Sequence, residues 1–93
     1  MSIEKLDKDR LYKIIGERLR EARLAKGLKA PEVAEMIGLQ KTAFYMFERG
    51  LNMPKLWVLI QLCVIYGVNP SYILLFDELP NLSHKQLANL LNK

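Results

Sequence analysis

Between Gly38 and Gly50 the chain reads GLQKTAFYMFERG, and within it Lys41, Thr42, Tyr45, Met46 and Arg49 recur at the spacing of one helical face. The chemistry of these side chains is contact with a partner, not bond-making. A lysine ammonium reaches guanine O6 or N7, and a threonine hydroxyl donates, accepts or touches a thymine methyl. Tyr45 and Met46 add apolar surface suited to thymine methyls, to sugars or to a protein partner. Lys41, Thr42, Tyr45 and Met46 are therefore candidates for reading base edges. Lys29, Arg49, Asn52 and Lys55 are candidates for phosphate contact, which positions a protein on a duplex without specifying sequence.

Such a face has to be held from behind. Phe44 and Phe47 repeat at i, i+3 on the opposite side of the same stretch, and Val33, Ala34 and Ile37 form an apolar stripe just upstream. Gly38 follows where a helix must stop and the chain must turn at positive φ. Together these residues predict a helix, a tight turn and a second helix of about 41–49, one side anchored in a core and the other presented.

The surrounding pattern predicts six helices and no strand. The first runs from about Asp9 to Ala25 on the stripe Leu11, Ile15, Leu19 and Ala22, with Gly27 closing it. The second spans Ala30 to Ile37 and the third Lys41 to Arg49. A fourth, from Lys55 to Tyr66, is expected to bury Leu56, Leu59, Leu62 and Cys63 and to end at Gly67. A short fifth begins near Pro70 with Tyr72, Ile73 and Leu75. For the sixth, Ser83 and Gln86 form a capping box, Leu82 and Leu87 a hydrophobic staple, and Leu87, Leu90 and Leu91 one face.

Composition narrows the function classes. Ninety-three residues, 51% of them hydrophobic, suit one domain with one modest core. We expect that core over 10–76 and a helical extension over 77–93. No apolar run approaches the roughly 20 residues that span a bilayer, and the start MSIEKLDKDRLYK lacks the apolar segment of a secretion signal. Cys63 alone provides neither a disulfide framework nor a zinc cluster, so a cytoplasmic location is expected. The net charge of +4 is segregated: residues 10–55 carry ten Lys or Arg against five Asp or Glu, whereas 56–93 carry two of each. Segregated positive charge draws polyanions. His84 is expected to be exposed, Cys63 to fill the core and Ser83 to cap a helix, while Glu17 and Glu21 lie one turn from Arg20 and Arg18 on a solvated face. An enzyme, a cofactor and a metal site are all unexpected.

From Ile15 to Leu75 the chain resembles the phage repressor and Cro type of helix-turn-helix proteins, the Xre-like regulators. The resemblance rests on an ordered set: Ile15-Gly16-Glu17-Arg18-Leu19, Arg23, Lys26-Gly27-Leu28, Val33-Ala34, Gly38, Phe44, Glu48-Arg49-Gly50, Pro54, Leu59, Leu62 and Gly67-Val68. It implies an all-α, five-helix lambda-repressor-like DNA-binding domain, here with a short C-terminal helix added. It also implies a bacterial or phage-encoded transcriptional regulator, a repressor, binding double-stranded DNA at a two-fold operator as a homodimer. Arg23 and Glu48 match a structural ion pair that in the family ties the first helix to the third. Dimer-interface candidates are Trp57, Ile60 and Val64, together with Leu79, Leu87, Leu90 and Leu91.

The chain departs from that family pattern at several positions. Lys29 and Gln40 stand where small hydroxyl caps are usual, Ala30 where a phosphate-fixing Gln is common, and Leu51 and Met53 in a loop that is usually basic. The exposed apolar residues support a second reading, a protein-interaction module of antitoxin or anti-repressor type on the same scaffold.

Overall fold

The computed structural model describes residues 7–75 and Lys85. Five helices follow one another: α1 Lys8–Ala25, α2 Ala30–Met36, α3 Lys41–Glu48, α4 Leu56–Tyr66 and α5 Pro70–Ile73. No strand occurs among the described residues. Helix α1 starts one residue earlier than expected because Asp7 caps it, its carboxylate accepting the Asp9 N–H at 3.0 Å. The stripe read from its sequence is the face it buries, with Ile15, Leu19 and Ala22 in the core and Leu11 half-buried against it.

The turn between α2 and α3 is the one that a glycine allows. Gly38 has φ +72°, its N–H donates to the Glu35 carbonyl at 3.1 Å, and the Leu39 N–H reaches back to Ala34 at 2.9 Å. Those bonds satisfy carbonyls that the end of α2 would otherwise leave open. Helix α3 then docks through Phe44 and Phe47, both buried. It packs against α1 and α2, while α1 also meets α4 and α5. Leu19, Val33, Phe44, Leu62, Ile73 and Leu75 are the fully buried centre of the core.

Helix α4 corrects one expectation. Leu56 is not in the core but 73% exposed, and the stripe α4 buries starts one turn later, with Leu59, Leu62, Cys63 and Tyr66. The run LWVLIQLCVIY is apolar nearly all the way round, so periodicity could not choose its inner face. Trp57, Ile60 and Val64 project outward at 67%, 41% and 76% exposure. The expected sixth helix, with Leu79, Leu82, Ser83, His84, Gln86, Leu87, Leu90 and Leu91, lies outside the described residues. Among the described residues no helix is long and apolar enough to cross a membrane.

Candidate nucleic-acid interface

Helix α3 is held from its inner side by a contact of unusual closeness. A Cβ placed on Gly16 of α1 would stand 2.5 Å from the Phe47 carbonyl oxygen and 2.6 Å from that of Glu48. Only a glycine there lets α1 and the end of α3 meet backbone to backbone. The same junction contains the pair Arg23 and Glu48, 7% and 6% exposed. Arg23 Nε donates to Glu48 Oε2 at 2.7 Å and Nη2 to Oε1 at 3.0 Å, a two-pronged match of guanidinium to carboxylate. Its remaining arm, Nη1, donates to the Leu28 carbonyl at 2.9 Å, so one side chain joins α1, α3 and the turn into α2. The hydrogen bond to Glu48 raises the arginine's pKa against the lowering effect of burial.

Tyr66 lies close enough to feel both charges of the pair, and its buried hydroxyl has no hydrogen-bond partner among the described residues. Burial is the main reason its pKa is raised, with Glu48 adding to the effect and Arg23 opposing it. Burial likewise pushes the Cys63 thiol up, so this cysteine is a neutral core filler and not a nucleophile.

The outer side of α3 has a different character. Lys41 and Thr42 are exposed in its first turn, Tyr45 is 42% exposed in the middle, and Arg49 is exposed at the C-cap. Met46, read from sequence as outward, is half-buried. Lys29, Asn52 and Lys55 are exposed, and the Asn52 oxygen accepts the Met53 N–H at 3.0 Å, which leaves its NH2 group as the donor for an outside partner.

The helix starts divide the same way. Helices α1 and α5 are capped by side chains, Asp7 for the former and Asn69 for the latter, whose oxygen accepts the Ser71 N–H at 2.9 Å. Helices α2, α3 and α4 begin at Lys29, Gln40 and Lys55, none of which makes a side-chain cap bond. In α2 only the reciprocal half of a capping box is made, Glu32 accepting the Lys29 N–H at 2.9 Å. A lysine at such a position offers no acceptor and adds positive charge to the positive end of a helix dipole.

The described structure adds a feature the sequence did not single out. Lys8, Lys13 and Arg49 line a shallow depression of about 430 Å³ where the start of α1 meets the end of α3, with Asp9, Tyr12, Gly50 and Leu51. Lys8 sits 5.8 Å from the Tyr12 ring centroid. The signal for it was the helical spacing of Lys8 and Tyr12, masked by the alternating charges around them. On the opposite side of α1, Arg18 stacks on the Tyr72 ring at 4.6 Å and donates to the Tyr72 carbonyl. Among the described residues no group of His, Cys, Asp and Glu is gathered as metal ligands.

Comparison with known proteins agrees with this arrangement. Residues 14–72 match the family model described as a helix-turn-helix domain. The chain is 34% identical over 79 residues to the HTH-type transcriptional regulator ImmR of Bacillus subtilis, covering 85% of this chain and 60% of that protein. It is 32% identical over 72 residues to the cryptic phage CTXphi transcriptional repressor RstR of Vibrio cholerae, covering 77% of this chain and 64% of the relative. A third relative, the uncharacterized HTH-type transcriptional regulator YobD of Bacillus subtilis, is 34% identical, with 83% and 70% covered. The chain thus spans somewhat under two thirds of the first two relatives' length.

Proposed function

The chain belongs to the helix-turn-helix domain family, and on that premise we propose that it is a sequence-specific DNA-binding transcriptional regulator, a repressor that sets α3 into the major groove of a two-fold operator. The observation that carries this reading is the withheld capping of α2, α3 and α4, with Lys29 and Lys55 at two of the cap positions and Lys41 next to the third. Each missing cap costs about 1 kcal/mol. A backbone phosphate at such an end supplies the missing acceptor and meets a lysine as well. Lys41 and Thr42 then face base edges, and Arg49, Asn52 and Lys55 hold the backbone. The relatives' names, regulators and in one case a phage repressor, support the same assignment. Such a regulator works in the cytoplasm of a bacterium, whether encoded by the host or by a phage.

One copy covers few base pairs, so the operator is read by two copies on half-sites about one helical turn, roughly 34 Å, apart. Trp57, Ile60 and Val64 on the outer side of α4 are the described part of the pairing surface. Leu79, Leu87, Leu90 and Leu91, outside the described residues, are its expected continuation. Sedimentation at micromolar concentration tests the pairing: a dimer that Val64→Asp separates supports it, and a wild-type monomer refutes it.

Selection of duplexes from a random library, followed by titration at two salt concentrations, tests the DNA reading. Lys41→Ala is expected to weaken selected duplex more than random duplex. Arg49→Ala and Lys55→Ala are expected to weaken both and to lower the salt slope by about one unit each. The second reading, a protein-interaction module of antitoxin or anti-repressor type, draws on the exposure of Tyr45, Leu51 and Trp57. It takes over if no duplex is bound in a salt-sensitive way.

A further inference from the structure

The middle of α3 offers a duplex little to hydrogen-bond with. Within Lys41–Glu48 the exposed groups able to donate or accept at a base edge are the Lys41 ammonium and the Thr42 hydroxyl in the first turn, and the Tyr45 hydroxyl at the tip of its ring. The helix holds no Asn, Gln or Arg; Gln40 and Arg49 flank it as caps. It therefore lacks the amide that pairs two-pronged with adenine and the guanidinium that does so with guanine. What it presents one turn beyond Thr42 is Tyr45, 42% exposed, followed by half-buried Met46. Both stand on a short helix fixed from behind by buried Phe44 and Phe47, so the patch is presented by a rigid support.

An apolar patch of this kind takes either a protein or an apolar group on DNA, and the surrounding charge decides between them. Lys41 precedes the patch and Arg49 follows it, Lys29 and Lys55 are exposed on the adjoining helix starts, and the only acidic residue of α3, Glu48, is turned inward onto Arg23. The exposed charges of α3 and of its two ends are thus cationic and complementary to a polyanion, while the exposed carboxylates Glu32 and Glu35 belong to α2, where Glu32 already accepts the Lys29 N–H. In the major groove the one apolar group carried by a natural base pair is the thymine C5-methyl.

Building on the DNA reading above, we infer that Tyr45 and Met46 read thymine methyl groups. The duplex this chain selects then carries thymines at the base pairs facing the middle of α3, while Lys41 and Thr42 read the neighbouring pair by hydrogen bonds. Specificity in the central part of each half-site is thus by methyl contact, which distinguishes thymine from uracil even though both present the same O4 acceptor.

The test needs no altered protein. A duplex selected from a random library is resynthesised with uracil in place of thymine, one position at a time, and its affinity for the wild-type chain is compared with that of the parent. Burial of a single methyl predicts a loss of roughly threefold to tenfold at one or two positions per half-site and none at the others. With Tyr45→Ala the uracil penalty at the affected position should shrink towards unity, whereas Tyr45→Phe should keep it, because the ring and not the hydroxyl makes the contact. Sequence preference without a uracil penalty overturns the methyl reading and leaves the DNA reading standing. Absence of any sequence preference, or capture of the patch by an apolar protein partner in place of duplex, overturns both.

Discussion

The buried junction behind α3 and the exposed starts of α2, α3 and α4 treat polar groups in opposite ways. Where α1, α3 and the α1–α2 turn meet, a buried guanidinium has its carboxylate and its carbonyl, and α1 and α5 each start with a side-chain cap. The three helices between them in the chain, α2, α3 and α4, start without such a cap, two of them at exposed lysines. Stability alone would favour the same caps everywhere. The difference teaches that polar satisfaction is completed where it fixes the position of α3 and left open where a partner can complete it.

The contrast can be broken from the satisfied side with the largest effect. Removing one member of a buried pair strands the other, so Arg23→Ala should destabilise the fold by about 3–5 kcal/mol in chemical denaturation. A loss under about 1 kcal/mol would mean the pair is not holding α3. Next comes Gly16→Ala, whose new Cβ has to displace the backbone of α3; overpacking of this kind costs about 1–3 kcal/mol, and the shift should appear in amide chemical shifts of Phe47 and Glu48.

Tyr66 is the exception on the satisfied side, a buried hydroxyl without a partner among the described residues. Tyr66→Phe should therefore stabilise by about 1 kcal/mol. Because its pKa in the folded chain is raised above the ordinary value of 10.0, the unfolded state releases the phenolic proton first, and stability falls as pH rises past that value. The Phe variant should show a flatter decline in melts between pH 9 and 11. The smallest effect, and the one that most sharpens the contrast, comes from the open side. Lys55→Ser supplies a cap acceptor and should raise stability by roughly 0.5–1 kcal/mol while weakening DNA binding and lowering its salt slope. Equal or tighter binding by this variant would mean that α4 does not start at a phosphate.

Much of this was legible in the residues. The α1 stripe, the glycine turn at Gly38 and the inward Phe44 and Phe47 follow from a period of 3.6 and from the conformational range of glycine, which are local properties. The Arg23–Glu48 pairing came from resemblance, since a separation of 25 residues has no local signature. Leu56 was misplaced because α4 offers apolar residues on every side, so that only the packing of α1 and α5 against it selects the inner face. Met46 sits at the border between two faces, where one step in helical angle separates exposed from half-buried. The close approach of Gly16 to the α3 carbonyls has no signature in the sequence: a glycine within a helix reads as a weak point until the neighbouring backbone is known.

That approach has a consequence for how such a protein acquires new targets. The place of α3 is written on its hidden side, in main-chain atoms, in buried Phe44 and Phe47 and in one buried ion pair, while Lys41 and Thr42 lie exposed away from that junction. On the proposed DNA reading, exchanging Lys41 and Thr42 changes the contacting surface while the mount of α3 stays in place. On that reading a change of target calls for new side chains on the exposed face alone, so the holder can persist while its vocabulary drifts.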